Sequence, residues 1–417
     1  MSEKKTVVLA FSGGLDTSFC VPWLIDKGYR VVTLFVDTGG VGPGGAERIG
    51  ARARELGAVE HVTVDASLAL WDSFVTPFVM GGVRYQDRYP LLCSDRYVIA
   101  AETVRLAKER GADAVAHGCT AMGNDQVRFD QSIRSLTDLP IEAPIRDIQA
   151  VTSTPRAYEI EDLRARGFSV SDEARRYTVN ENLLGVTVSG SEIDAFGTPG
   201  PGTRKLTSPP EAWPETPTRA AIGFDRGRAV TLDGVPMDGP AILRTLNERF
   251  GACGVGRGMY TGDTIVGLKG RIVFECPGLE ALLTAHKALE EVTLTRAQNE
   301  FKPQAARRWT ELVFGGLFFE PLRADLEAFI RATQATVTGE VVVESHGGTC
   351  DPVEVRADRP LVRAGATYAQ HADWTAADAE GFIRLYGQSS AMGAAARQDL
   401  GERLGVAREE SSCSAAC

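Results

Sequence analysis

The chain has 417 residues, enough for two or three domains around a sizeable core. Its formal net charge of −10 leaves no general electrostatic footprint for nucleic acid, and no apolar run is long enough to span a bilayer, so neither nucleic acid nor membrane is expected as a partner. Eight cysteines, none in a C-x-x-C pair, give no support to zinc or thioredoxin-like sites and point to reduced thiols in the cytoplasm.

Met1–Lys5 runs straight into the first strand, with no room for a secretory leader. The apolar run Thr6–Phe11 reads as a buried parallel strand, and Thr17–Lys27 as a helix ending at Gly28. Between them, Gly13 and Gly14 allow a tight turn and remove side chains that would block a ligand. The amides freed there sit at a helix N-terminus, where the dipole favours an anion. Ser12, Asp16, Thr17 and Ser18 add polar contacts. The result is a phosphate cradle, but without the Lys and spacing of a Walker A loop.

Arg30–Val36 (strand), Ala46–Leu56 (helix), Glu60–Asp65 (strand), Val98–Arg110 (helix) and Ala112–His117 (strand) continue the alternation. This predicts an α/β fold with a doubly wound parallel sheet, in which ligands bind beyond the carboxyl ends of the strands. Three polar clusters fall at such ends: Ser12–Ser18, Asp37–Gly45 and Gly118–Arg128. In the second, Gly40-x-Gly42-x-x-Gly45 with Asp65 downstream satisfies a dinucleotide fingerprint on paper, yet it follows the second strand and contains Pro43. In the third, Arg128 suits a carboxylate through a bidentate fork, Asp125 an ammonium, and Asn124 either end of an amino acid. A helix N-cap at Asn124 or Asp125 is the plainer alternative. His117 equally suits a satisfied buried histidine.

Ala195–Pro217 is rich in Pro and Gly and reads as an irregular loop. Beyond it, Ala220–Leu232 reads as a hairpin turning at Asp225–Arg228. Pro240–Phe250, Leu279–Phe301 and Pro321–Thr333 read as helices, and Val337–Glu344 with Pro352–Ala357 as an antiparallel pair. Arg257, Lys269 and Arg271 fall in a strand region as a solvated face, and the aromatics of Phe314–Phe319 serve the core or a subunit contact. Ala391–Ala407 is a candidate terminal helix and Glu409–Cys417 a flexible tail. The expected division is a nucleotide-binding domain (1–170), an α+β domain (171–385) and a C-terminal helix and tail (386–417).

The S-G-G-L-D-T-S run at Ser12–Ser18 resembles the pyrophosphate loop of the N-type ATP pyrophosphatases. Followed by His117-Gly-Cys-Thr-x-x-Gly-Asn-Asp-Gln-Val-Arg-Phe129, it resembles the argininosuccinate synthase family. Tyr85-Gln-Asp-Arg-Tyr89, Asn180-Glu-Asn-Leu183, Gly254-Val-Gly-Arg257 and Glu275-x-Pro277-Gly278 extend the likeness over roughly residues 5 to 385. The resemblance implies a ligase that joins citrulline to aspartate as ATP is cleaved to AMP and pyrophosphate, with Mg2+ on the phosphates and homotetramers common. It implies that Ala10, Phe11, Ser12, Gly13, Gly14, Leu15, Asp16, Thr17, Ser18, Val36 and Gly118 bind ATP. Thr120, Asn124 and Asp125 would bind aspartate, and Tyr89, Ser94, Asn124, Arg128, Thr178 and Thr187 citrulline, with Asp16, Asp125 and Arg128 as catalytic residues.

The chain also departs from the family pattern. Met122 stands for a customary Lys, Cys93 for a Thr, and Arg96 is displaced by one place. A Glu of the citrulline site aligns with Gly262, beside Asp263, and a Tyr with Phe274. These changes leave room for a different ureido or amide acceptor. A tRNA-thiolating relative would need a reactive Cys pair and an RNA-binding surface; Cys119 reads instead as packing. A non-catalytic adenylate sensor is opposed by the presence of Asp16, Asn124, Asp125 and Arg128.

Overall fold

The computed structural model describes residues 4–170, 177–362 and 373–397. In the first third, β1 (Thr6–Ala10), α1 (Leu15–Asp26), β2 (Arg30–Asp37), α2 (Gly45–Glu55) and β3 (Glu60–Asp65) alternate as expected. A helical segment missed by the sequence reading follows: α3 (Ser67–Leu70), a π-helical turn over Trp71–Val75, and α4 (Thr76–Gly81). Then come α5 (Asp95–Glu109), β4 (Ala114–Ala116), α6 (Asp125–Leu136), β5 (Ile141–Glu142), α7 (Pro144–Gln149) and α8 (Pro155–Ala165).

The five strands form one parallel sheet in the order β3-β2-β1-β4-β5. Alternate residues of β1 face opposite cores, as a pleated strand requires. Val7 and Leu9 join Phe19, Leu24, Ile145 and Leu163 from α1, α7 and α8. Val8 and Ala10 join Leu70, Tyr97 and Val104 on the other side. Burial on both faces explains the continuous apolar runs read from the sequence. Strand order reverses at β1, so its carboxyl end is the topological switch point.

β6 (Thr178–Asn182) and β7 (Gly185–Ser189) open the second half. The β6–β7 turn is tied to the end of β2 by a Leu183 N–H to Thr38 carbonyl bond of 2.8 Å. The approach is so close that a Cβ on Gly40 would lie 2.3 Å from the Glu181 carbonyl oxygen, and one on Gly39 3.0 Å from Leu183 Cβ. Gly39 and Gly40 therefore serve backbone packing, a use of Gly40 that needs no dinucleotide. Asn182 completes the joint by donating to the Leu92 carbonyl (2.7 Å).

The remaining elements are β8 (Thr218–Asp225), β9 (Arg228–Leu232), β10 (Val235–Pro236), α9 (Gly239–Gly251), β11 (Arg257–Asp263), β12 (Lys269–Glu275), α10 (Pro277–Thr293), α11 (Arg296–Phe314), α12 (Pro321–Thr333), β13 (Gly339–Ser345) and β14 (Asp351–Ala357). The two expected hairpins merge, because β8 pairs with β13 in a sheet ordered β10-β9-β8-β13-β14. A further antiparallel sheet runs β11-β12-β7-β6.

The single helix expected over Leu279–Phe301 is corrected to two. Thr295 N-caps α11 through a capping box with Gln298, which ends α10 two residues earlier. The terminal helix, α13, spans Ala376–Ala396 rather than starting at Ala391, because Thr375 and Asp378 form a capping box there. The rest of the Ala391–Ala407 reading, from residue 398, and the Glu409–Cys417 tail lie outside the described residues.

Glu275 anchors the irregular loop in the second half. Its fully buried carboxylate accepts N–H bonds from Lys205 (2.8 Å), Leu206 (2.6 Å) and Thr207 (3.2 Å), and pairs with Arg257. Removing it would strand those amides and a partly buried cation. Glu275→Ala is therefore expected to lower the unfolding free energy by about 3–5 kcal/mol in urea denaturation. A loss below about 1 kcal/mol would show that water replaces the carboxylate.

Candidate active site

The turn after β1 places its polar groups as the sequence suggested. Gly13 lies in the left-handed region at φ +75°, and a Cβ there would press on Ile49 at 3.2 Å. Gly14 is the N-cap of α1, and no side chain caps the helix. Its first-turn amides thus keep their direction toward the loop. The Ser12 and Thr17 hydroxyls are 3.1 Å apart, and Ser18 donates to the Gly13 carbonyl at 3.4 Å. Ser12 and Gly14 are exposed, Asp16 and Thr17 half-buried, and Ala10, Phe11 and Val36 line the strands behind.

The loop after β4 meets this turn at one residue. A Cβ on Gly118 would lie 3.0 Å from Thr17 Cγ2 and 3.3 Å from its backbone nitrogen. A side chain there would press on Thr17 and move the two loops apart by a few tenths of an ångström. The loop's base is held by His117, which is 1 % exposed. Its Nδ1 accepts from the Cys119 N–H (3.2 Å), so Nε2 carries the proton and donates to Asp130 Oδ1 (2.9 Å). Arg146 also donates to Asp130, at 2.8 and 3.0 Å. Burial would raise the Asp130 carboxyl, but the bonds from His117 and Arg146 hold it well below the usual range. His117 is thus a satisfied structural histidine.

The loop's far end leads into α6. Asn124 Oδ1 accepts from the Ile265 N–H (2.8 Å), which ties it to the turn between β11 and β12. Asp125 accepts from Arg128 (2.8 Å) and from Arg96 (3.0 Å). Burial would raise its carboxyl, but the two guanidinium groups keep it below the usual range. Arg96 also grips Asp95 with both oxygens within 2.8 Å. The one-place displacement of Arg96 therefore still delivers its charge to Asp125. Thr120 is half-buried and Met122 is 66 % exposed.

Arg128 is buried beneath an aromatic wall. Its guanidinium lies 5.2 Å from the Phe314 ring centre and donates to the Phe314 carbonyl at 3.1 Å. Phe314 stacks on Tyr85 at 3.6 Å, and Tyr89 meets both Tyr260 (5.5 Å) and Phe274 (6.0 Å). Burial pushes the Tyr89 phenol well above its ordinary range. Arg128 Nε is buried without a hydrogen-bond partner. Thr187 pairs with Phe274 across β7 and β12, whereas Thr178 is exposed on the edge strand β6. Ser94 is fully buried, with its hydroxyl given to the Leu91 carbonyl (2.8 Å).

Tyr260, Arg96 and Phe314 belong to this end and were not among the sequence candidates. Tyr260 donates to Gln86 or to the Asp263 carbonyl, at 2.9 and 3.0 Å. A Cβ on Gly262 would sit 2.5 Å from that hydroxyl, so Tyr260 occupies the space a Glu at 262 would need. Its signal was present: residues 260 and 262 share one face of a strand. A cleft of about 370 Å3 beside this wall is lined by Arg84, Tyr85, Gln86, Arg307, Glu311 and Phe314, among others, and by none of the sequence candidates. Among the described residues no cluster of three or more His, Cys, Asp or Glu is arranged for a metal ion, and no helix is long and apolar enough to cross a membrane.

Residues 6–164 match the family model described as the arginosuccinate synthase N-terminal HUP domain, and residues 177–392 match the C-terminal domain of the same family. The chain is 54% identical to argininosuccinate synthase of Xanthomonas axonopodis pv. citri over 94% of its length and 95% of the relative's. It is 39% identical to argininosuccinate synthase of Halalkalibacterium halodurans, covering 92% and 94%. A solved NH3-dependent NAD synthetase from Campylobacter jejuni resembles 41% of this chain and 71% of its own at 14% identity, with a TM-score of 0.28.

The contact at Gly118 yields a direct test. Gly118→Ala should separate the two loops and weaken MgATP binding by about tenfold or more in calorimetry, with the thermal midpoint little changed. Unaltered affinity would show that the loops need not touch.

Proposed function

The chain belongs to the argininosuccinate synthase family, and we propose that it condenses citrulline with aspartate at the cost of ATP cleaved to AMP and pyrophosphate. The observation that supports this reading best is the contact at Gly118, which abuts an amino-acid-binding loop on a phosphate-binding turn. In this reading Ser12–Ser18 take the phosphates, with magnesium carried on ATP as part of the substrate. Thr120, Asn124 and Asp125 take aspartate; Tyr89, Asn124, Arg128 and Thr187 take citrulline.

The citrulline ureido oxygen attacks the α-phosphate and expels pyrophosphate into the turn. The aspartate amine then attacks the ureido carbon of the adenylate, and AMP leaves. Neither step needs a protein nucleophile. Both need aligned reactants and stabilised phosphate charge, which the oriented amides of α1 can supply. Arg128 serves as a carboxylate fork whose charge is kept in place by Asp125 and Phe314. The domain division at 170/171 and 385/386, a homotetramer and a cytoplasmic location are parts of the same reading.

One variation has its own observation. Gly262 and Phe274 withdraw a carboxylate and a hydroxyl, and Tyr260 with Gln86 and Asp263 returns similar groups from neighbouring positions. A ureido compound differing from citrulline at its amino-acid end is the second acceptor to try.

Pyrophosphate release from MgATP and aspartate is expected to depend on citrulline and to yield argininosuccinate. Tight MgATP binding with no citrulline-dependent release would point to the second acceptor class. Asp16→Ala should abolish release with any acceptor, and near-normal turnover would remove the turn from the mechanism. Arg128→Ala should raise KM for citrulline by about two orders of magnitude, in line with losing a buried charge contact, while leaving MgATP affinity intact. An unchanged KM would end its assignment as the fork.

A further inference from the structure

Against the first turn of α1 lies a carboxyl that the reaction above does not use. Glu159, on α8, is 2 % exposed, and its Oε2 is buried with no N–H or O–H donor among the described residues. The neighbour that bears on it most is the carboxyl of Asp16, by charge first and then by hydrogen bonding. Two carboxyls can share a hydrogen bond only if one of them holds a proton. An ionised Glu159 would instead be a buried anion with no donor, facing another anion.

The neighbouring groups do not relieve that conflict. On α1, the Cys20 thiol is fully buried and is pushed well above its ordinary range by burial first and then by Asp16 and Glu159, so it contributes no charge. On α7, Asp147 is another acid, and it is paired with Lys27 at 2.7 Å. On α8 itself, Arg156 is the one cation acting on Glu159, and its effect is the weakest. Burial, and then Asp16, push the Glu159 carboxyl up to about 9.

We propose that Glu159 is a positioning residue for the nucleotide: its protonated carboxyl donates to Asp16, fixing that side chain and limiting the pair to one negative charge beside the turn that takes the phosphates. The proposal rests on the reading of Ser12–Ser18 as that turn. Loss of the shared proton would add a second negative charge where a polyanion must sit, so MgATP affinity should fall in alkali.

Folding stability carries the same signature. The carboxyl's folded value is raised above its ordinary value of 4.5. Between 4.5 and about 9 the folded chain therefore holds a proton that the unfolded chain has released. Stability falls as pH rises through that window and levels off above it. Glu159→Gln keeps a donor toward Asp16 but cannot titrate.

The test is calorimetric titration of MgATP into the full chain without citrulline or aspartate, for wild type, Glu159→Gln and Glu159→Leu. From about pH 8 to about pH 10 the wild-type Kd should rise about tenfold, while that of Glu159→Gln stays within about twofold. Glu159→Leu, of similar bulk but without a donor, should bind more weakly throughout. The thermal midpoint of Glu159→Gln should exceed wild type by more at about pH 8 than at about pH 5. Parallel Kd profiles for wild type and Glu159→Gln, a midpoint difference independent of pH, or a Glu159→Leu variant that binds as well as Glu159→Gln would each overturn the proposal. Absence of MgATP binding to the wild type at every pH would instead overturn the phosphate-turn reading and the proposal with it.

Discussion

The missing side chain at Gly118 is the constraint on which this site depends. The backbone of the loop after β4 approaches the first turn of α1 so closely that a Cβ would have to push Thr17 aside by a few tenths of an ångström. Such contact is useful only if the loop holds still. The His117–Asp130–Arg146 cluster meets that need by fixing one histidine tautomer and locking the loop base to α6 and α7. One loop then abuts the turn after β1 at its near end and leads into α6 at its far end.

At that far end, charge is arranged in alternation: Asp95, Arg96, Asp125, Arg128. Each member compensates the desolvation of its neighbour. The Phe314 ring, stacked on Tyr85, then lies over the buried Arg128, whose Nε is left as an unspent donor. Preorganised charge in a dry pocket stabilises developing charge more effectively than the same groups in water. The Gly262 and Tyr260 pair belongs to the same wall. The Tyr260 hydroxyl fills the space beside Gly262 and bonds Gln86, so the pocket is polar there without a side chain at 262.

The parallel half of the fold was legible because its signals are local. Strands buried on both faces read as unbroken apolar runs, and helices ended at Gly28, Gly57 and Gly111, each with positive φ. The two loops that meet at Gly118 were legible for the same reason, since glycine and polar residues crowd the strand ends. What was hidden depends on contacts between distant segments. The β8–β13 pairing joins Ile222 to Val341, and no local pattern announces it. The break at Thr295 is a capping box inside an otherwise helical run. Glu159 looks like any helix glutamate until α8 packs on α1 and buries it against Asp16.

The joint between Gly39–Gly40 and the β6–β7 turn divides the loop after β2 into two regimes of evolutionary freedom. At its root, insertion, deletion or any larger residue would lever the turn carrying Leu183 away from Thr38 and shift Asn182 off Leu92. A few residues on, Gly42 meets nothing within 4 Å and is not held at positive φ. The crown of this loop can therefore be lengthened or altered without a clash. The root has no such latitude, and drift there would be felt first in the β11-β12-β7-β6 sheet.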